Sequence, residues 1–324
     1  MKAEWRAHRD VDREGWKALL GSCAYANFFV DPAYMDLIAP DWSGIELRDR
    51  DARLLAVMPL ELKRKGPFTY AVQPPLSQYW GIFFADVVPE GIYKQYSWKG
   101  KAIKAILDAI PRQIRYFLYN FAPAFDYPLP FHWANYQLRT RYTYQIDLTR
   151  DADELRGEFA KNTRYDLRRS ATYAEHIRTT RDVSALKRLF SAYARAGKPL
   201  IKASEMDPFF RIMDLLQDQG AEILEVAPPG KPVIAAGVFV HYRDRTTYLV
   251  SAVDPAHKKT GVMTVLLWTA LQRARERSRI FDFEGSMIEG IEGFFRGFGA
   301  RPIPYLNIEK NDLPLLLQWI RDLR

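Results

Sequence analysis

Cysteine is nearly absent from this chain. One residue, Cys23, in 324 excludes an intrachain disulfide framework and a cysteine-based zinc cluster, and fits a reducing compartment. Cys23 lies in Gly-Ser-Cys-Ala-Tyr with no charged neighbour to activate its thiol, and reads as a small packing residue. Histidine is also scarce. The five residues His8, His132, His176, His241 and His257 are scattered, and none stands at metal-ligand spacing, so zinc or iron is not expected, nor any tightly bound cofactor. There is no Gly-x-Ser-x-Gly elbow and no Walker loop, which removes support for hydrolase and nucleotide-triphosphatase chemistry. No stretch approaches ~18 uncharged apolar residues, and the amino terminus lacks the apolar core of a signal peptide. These absences point to a soluble, cytoplasmic protein without stable membrane insertion. Repeats, low-complexity tracts and linkers are missing too.

Apolar residues make up 48% of the chain and aromatics 14%, ample for buried cores. The length exceeds the usual single domain, so two domains are expected. Lys plus Arg outnumber Asp plus Glu by 47 to 39, an excess of +8 that suits either an anionic partner, such as a phosphorylated substrate, a coenzyme or RNA, or simply a basic surface.

Periodicity predicts a helix over Val11 to Leu20 and a second after Val30-Asp31-Pro32, where Asp31 caps and Pro32 takes the first helical position. Strands follow at Ile45 to Arg48 and Leu54 to Leu62, then an irregular aromatic and proline-rich crossing from Phe68 to Phe84. A helix from about Lys99 stops before Pro111, and strands are expected at Arg115 to Asn120 and Thr140 to Asp147, with a domain boundary near Leu148. The second half opens with helices from Asp151 and over Lys161 to Ala174. A strand at His176 to Thr180 and helices near Asp182 to Ala196 and Ser204 to Gln219 come next. Three alternating runs, Ala221 to Ala227, Val233 to His241 and Thr246 to Val253, form a meander. A long helix ends near Arg277, a strand covers Ile280 to Phe283, a short helix Glu289 to Gly297, a strand Ile303 to Ile308, and a closing helix Leu313 to Leu323.

Three segments carry chemistry. On a helical wheel Ala160, Leu167 and Ala171 form a narrow apolar stripe edged by Lys161, Arg164 and Arg168. Those cations suit an anion clamp, since a guanidinium fork binds phosphate or carboxylate bidentately, or they form an ordinary solvated basic face. His257-Lys258-Lys259-Thr260-Gly261 precedes an apolar helix, and free helical amides beside Lys258, Lys259, Thr260 and Gly261 favour a pyrophosphate. The third segment runs from Asp282-Phe283-Glu284-Gly285-Ser286 to Gly290-Ile291-Glu292-Gly293-Phe294-Phe295-Arg296-Gly297-Phe298-Gly299-Ala300. Asp282, Glu284 and Glu292 are its candidate proton acceptors for an attacking amine.

A strand ending in Asp-Phe-x-Gly, then Phe-Phe-Arg-Gly-Phe-Gly and an aromatic strand ending at Tyr305, resembles the Fem-type peptidyltransferases that extend peptidoglycan precursors, a branch of the GNAT acyltransferase superfamily. Lys161 to Ser170 is similar to the basic helix opening the second domain of that family, and the order of elements in the second half is the GNAT order. The matches cover about residues 155 to 310, while the amino-terminal half resembles the family mainly in length and in Pro74-Pro75-Leu76-Ser77-Gln78-Tyr79-Trp80-Gly81. The resemblance implies an α/β (α+β) fold of two tandem GNAT-like domains with mixed, mostly antiparallel sheets flanked by helices. Residues 1–148 would form the acceptor side and 149–303 the donor side, with 304–324 as a terminal strand and helix packing back on the first domain. It also implies that Arg296 steadies oxyanion charge at the donor site. GNAT enzymes hold the coenzyme A pyrophosphate where Lys258 to Gly261 stand here, but Met263 occupies the place of their usual second glycine. Fem-type enzymes draw instead on aminoacyl-tRNA, so the co-substrate is acyl-CoA or aminoacyl-tRNA. The expected activity is acyl or aminoacyl transfer to an amine, with a cell-envelope precursor as one candidate, received in a cleft lined by Gln78, Tyr79, Trp80, Tyr248, Ser251 and Tyr305. The alternative is a non-catalytic protein that binds tRNA or another polyanion on the same fold.

Overall fold

The computed structural model describes every residue except 87–88, 196–200, 202–205, 286, 316 and 319–324. The chain divides into two compact units, 1–141 with 304–324, and 142–303. The boundary expected near Leu148 marks the end of a strand, Gln137–Asp147, that is shared by both units. Continuous alternation along a strand shows where it ends and not where its neighbours change.

In the first unit β1 (Lys2–Arg6), α1 (Arg13–Ser22), α2 (Pro32–Ile38), β2 (Ser43–Arg48), β3 (Leu54–Leu60), β4 (Leu62–Lys65) and β5 (Phe68–Val72) come first. They are followed by β6 (Phe83–Phe84), α3 (Ile92–Ala109), β7 (Ile114–Phe121), α4 (Leu129–Trp133) and β8 (Gln137–Asp147). The Asp31 carboxylate accepts from the Ala33 amide and Pro32 opens α2, as the sequence indicates. Asp12 caps α1 by accepting from Gly15, so that helix starts two residues later than its apolar period suggests. Strands β1-β2-β3-β6 form an antiparallel sheet. The crossing at Phe68 to Phe84 is more regular than expected, since Phe68–Val72 is a strand paired parallel to β7. The prolines that obscure it, Pro74 and Pro75, lie just beyond its end.

The second unit contains α5 (Ala152–Gly157), α6 (Lys161–Arg169), β9 (Ile177–Thr180), α7 (Ser184–Arg195), α8 (Met206–Leu216), β10 (Ala221–Val226), β11 (Ala235–Tyr242), β12 (Arg245–Val253), α9 (Val262–Ala274), β13 (Ile280–Asp282) and α10 (Glu289–Arg296). The last strand, β14 (Arg301–Asn311), returns the chain to the first unit, where it pairs with β7 from Leu306 onward. In the second unit the strand order is β8-β13-β12-β11-β10-β9, antiparallel except for the β12–β13 pair. This is the mixed, mostly antiparallel α/β architecture expected. Its core joins Phe239, Leu266, Phe281, Phe283 and Phe298 beneath α9. The basic helix is shorter than its sequence period, because Ser170 ends α6 and residues Ala171–His176 continue as a 3-10 helix. The gap between the helices near Ala196 and Ser204, and most of the closing helix Leu313 to Leu323, lie outside the described residues.

Candidate functional site

The candidate site of the second unit is built on the parallel pair β12–β13. A parallel connection needs a crossover, supplied by α9, and crevices open beyond the carboxyl ends of such strands. Here pairing stops at Thr247 opposite Asp282, while β12 continues to Val253. A bulge at Leu249 adds one residue to β12 opposite Val238 and Phe239. Bulges re-aim side chains and end pairing beside functional sites. Past the divergence the Tyr248 ring faces Phe283 at 6.2 Å and Phe295 at 6.1 Å, and its hydroxyl is bonded to Ser251. Burial, foremost, pushes the Tyr248 phenol up to about 12.

Asp282, at the end of β13, is 1% exposed. One carboxylate oxygen accepts from the Thr143 hydroxyl (2.6 Å) and the Glu284 amide (2.9 Å). The other accepts from the Gln145 amide group (2.8 Å) and Arg245 (2.9 Å). With all four acceptor positions taken, Asp282 is an anchor for the turn that follows and has no lone pair left for an amine proton. That corrects its expected part as a base. Thr143, Gln145 and Arg245 were missed from the sequence. Thr143 and Gln145 alternate on one face of β8, a polar pattern visible in Arg-Tyr-Thr-Tyr-Gln but without a partner to give it meaning.

The turn itself is strained. Glu284 has φ +68 and Gly285 φ +88, and a Cβ on Gly285 would lie 2.4 Å from the Tyr142 carbonyl oxygen and 2.7 Å from Thr143 Cα. Only glycine allows that approach to β8, whereas Glu284 carries its side chain at a left-handed position that most residues avoid. Such strain persists where the surroundings over-determine it, often at functional sites. Burial first, then the charge of Asp282, pushes the half-buried Glu284 carboxyl from 4.5 up to about 8. Glu292 and Arg296 form an i,i+4 ion pair on α10 at 2.7 Å, with the guanidinium exposed. The Tyr144 phenol, buried nearby, is raised by its burial and by the charge of Glu292.

At the start of α9, Gly261 adopts φ +84. A Cβ there would sit 2.9 Å from Ser170 Oγ and 3.0 Å from the Asp166 carbonyl oxygen, so this glycine lets α9 cross close to α6. Arg169 donates to the Lys259 carbonyl at the same crossing. Lys258 stands over the Tyr193 ring at 4.4 Å. Thr260 donates to the His257 carbonyl at 2.7 Å, and its Oγ1 receives the Val262 amide only weakly at 3.4 Å. Of the basic edge of α6, Arg164 donates to the Gly157 carbonyl at 3.1 Å, while Lys161 and Arg168 are exposed without an ion pair among the described residues. Met263, in place of a second glycine, packs against the core.

The expected acceptor residues divide between the units. Tyr248 and Ser251 belong to the second. In the first, the Tyr79 and Tyr305 rings meet edge to face at 5.2 Å. Trp80 is wholly buried, donates to the Phe29 carbonyl at 3.1 Å and stacks on Tyr119, which makes it core rather than groove wall. Gln78 is 7% exposed, and neither its side-chain oxygen nor its nitrogen has a hydrogen-bond partner among the described residues. A buried amide without partners is rare. Among the described residues no group of three or more His, Cys, Asp or Glu could hold a metal ion.

Residues 157–295 match the acetyltransferase (GNAT) domain family. The chain also shares its fold with solved structures. Against the crystal structure of FemX the identity is 14%, with 94% of this chain and 97% of that chain covered and a TM-score of 0.68. A tandem GNAT protein from the clavulanic acid biosynthesis pathway is 11% identical over 97% and 99% of the two chains, with a TM-score of 0.57. L-PGS from Bacillus licheniformis is 11% identical over 95% of each, with a TM-score of 0.56. No curated protein sequence matches the chain. Residues 157–295, within the second unit, thus match a GNAT domain, and the chain as a whole shares its fold with FemX and with a tandem GNAT protein.

Proposed function

We propose that the protein is an N-acyltransferase or aminoacyltransferase that moves an acyl group from an activated donor, acyl-CoA or aminoacyl-tRNA, to an amine. The observation that carries this reading is the diverging β12–β13 pair closed by a strained turn, in which Glu284 holds a carboxyl raised to about 8 next to an Asp282 already saturated with donors. A group titrating near neutral pH suits proton exchange with an amine. The amine nitrogen attacks the carbonyl carbon of the ester or thioester and its proton passes to the Glu284 carboxylate. The C–O or C–S bond then breaks, and the leaving alkoxide or thiolate takes up a proton.

Donor phosphate fits the start of α9, where Lys258 and Lys259 precede the first-turn amides of the helix, with Arg168 and Lys161 on α6 as further cations. Arg296, exposed on α10, serves as the cation for developing oxyanion charge, and Glu292 holds it. Tyr248 and Ser251, in the second unit, are assigned to the amine acceptor, for which a cell-envelope precursor is a candidate. The test is transfer of a labelled acyl group from each donor to a panel of amines. Arg296→Ala and Lys258→Ala should each lower transfer at least ~10-fold, since a hydrogen bond to a charged group is worth roughly 1.5–3 kcal/mol and each ~1.4 kcal/mol is a factor of about ten. Full activity of both variants at saturating donor would overturn the assignment.

A further inference from the structure

The acyl-transfer reading leaves one surface of the first unit unused. Helix α3 buries Ala102, Ile103 and Ile106 on its inner face. The 3.6-residue period therefore turns Tyr93, Ser97, Lys101 and Lys104 outward along a single stripe. The short helix α4 runs beside it, and between them lies a groove of about 540 Å³ whose walls include Tyr96, Lys101, Lys104, Tyr127 and Trp133.

This face exposes apolar side chains to an unusual degree. Ile92 is 76% exposed, Tyr93 85%, Trp133 64% and Leu129 43%. On each helix such residues cluster at one end or one turn apart, and an apolar patch of this kind marks a surface that meets something less polar than water. The neighbouring cations are available. Lys101 and Lys104 are exposed and make no ion pair among the described residues, while the nearby Asp126 is already neutralised by Lys99 at 2.6 Å and bonded by Tyr96 at 3.2 Å. One acid, Asp108, lines the far end of the groove.

Exposed indole and phenol rings, aliphatic side chains and unpaired lysines together form the composition of a bilayer interface. Rings and aliphatic groups enter the boundary between headgroups and acyl chains, and ammonium groups meet lipid phosphates. A soluble polyanion would use the lysines and gain nothing from Ile92 or Leu129. We propose that this face of the first unit docks reversibly on an anionic phospholipid surface, with Ile92, Tyr93, Leu129 and Trp133 entering the headgroup region and Lys101 and Lys104 on lipid phosphates. The attachment is peripheral: no helix among the described residues is long and apolar enough to cross a membrane.

The full-length protein is sedimented with phosphatidylcholine vesicles, with or without phosphatidylglycerol, at low and high salt. Wild-type protein should sediment with the phosphatidylglycerol vesicles, stay in solution with phosphatidylcholine alone, and be released by salt. Lys101→Glu/Lys104→Glu and Trp133→Ser/Leu129→Ser should each weaken binding roughly tenfold or more. Both pairs are surface changes, so an unchanged thermal midpoint separates lost docking from lost folding. The proposal is overturned if wild-type protein ignores anionic vesicles or if either folded variant binds them as well as wild type. It is equally overturned if the lysine variant loses RNA binding while the Trp133 and Leu129 variant keeps full vesicle binding, since the face would then be a polyanion site.

Discussion

Glu284 and Asp282 are two residues apart and carry opposite electrostatic fates. Asp282 is given four donors and stays an anchor, whereas Glu284 is held half-buried by the left-handed turn beside that negative charge. Glu284→Gln should therefore remove the rising limb of a pH–rate profile centred near pH 8, with a large loss of rate at its plateau. An unchanged limb would assign the proton to another group. Asp282→Ala leaves the Arg245 charge and the Thr143 and Gln145 groups without their acceptor. It should cost about 3–5 kcal/mol in urea unfolding, the scale for breaking a buried ion pair from one side. A loss below ~1 kcal/mol would mean that solvent replaces the network.

At the scale of elements, the crossing of α6 and α9 depends on Gly261. A valine there would combine a strained φ with contacts inside 3.0 Å at Ser170 and against the Asp166 backbone. Gly261→Val should lower stability by about 1–3 kcal/mol and weaken donor binding, both readable by melting with and without ligand. Wild-type stability with full donor response would show that the two helices can part without consequence. Much of this architecture is legible in the sequence. Asp31-Pro32 announces a helix start, the meander from Ala221 to Val253 alternates cleanly, and Lys-Lys-Thr-Gly before an apolar run announces the start of α9. What escapes the sequence depends on contacts distant along the chain. The strand Lys2–Arg6 alternates polar and apolar residues over only five positions, too few to stand out in the sequence, and becomes evident through its pairing with β2. The four donors to Asp282 come from β8, β12 and the next turn. Trp80 and Gln78 are two residues apart in the sequence, yet one becomes core and the other a buried amide without hydrogen-bond partners among the described residues, and local pattern cannot distinguish them.

For the whole molecule, two half-buried carboxyls set opposite pH responses. Burial works to raise Glu222, but bonds from His241, Thr179 and Arg273 outweigh it and hold the group at about 2. Its unfolded value is near 4.5, so the stability it contributes is present above that pH and is lost as pH falls from about 4.5 to about 2. Glu284 works the other way. The native state binds its proton more tightly than the unfolded chain does, so stability declines as pH rises from about 4.5 to about 8. Glu222→Gln should flatten the acid limb of a stability profile and Glu284→Gln the neutral limb. Profiles that keep both limbs in the respective variants would contradict these assignments.

The central claim, that the second unit binds an activated acyl donor at the start of α9, is tested most directly by thermal melting. Wild-type and Lys258→Ala protein are melted with coenzyme A, acetyl-CoA and aminoacyl-tRNA, since a ligand that binds the native state raises the midpoint. The account predicts a raised midpoint with one donor class in wild type and a much smaller shift in the variant. A midpoint unmoved by every donor, or moved equally in both proteins, would contradict it.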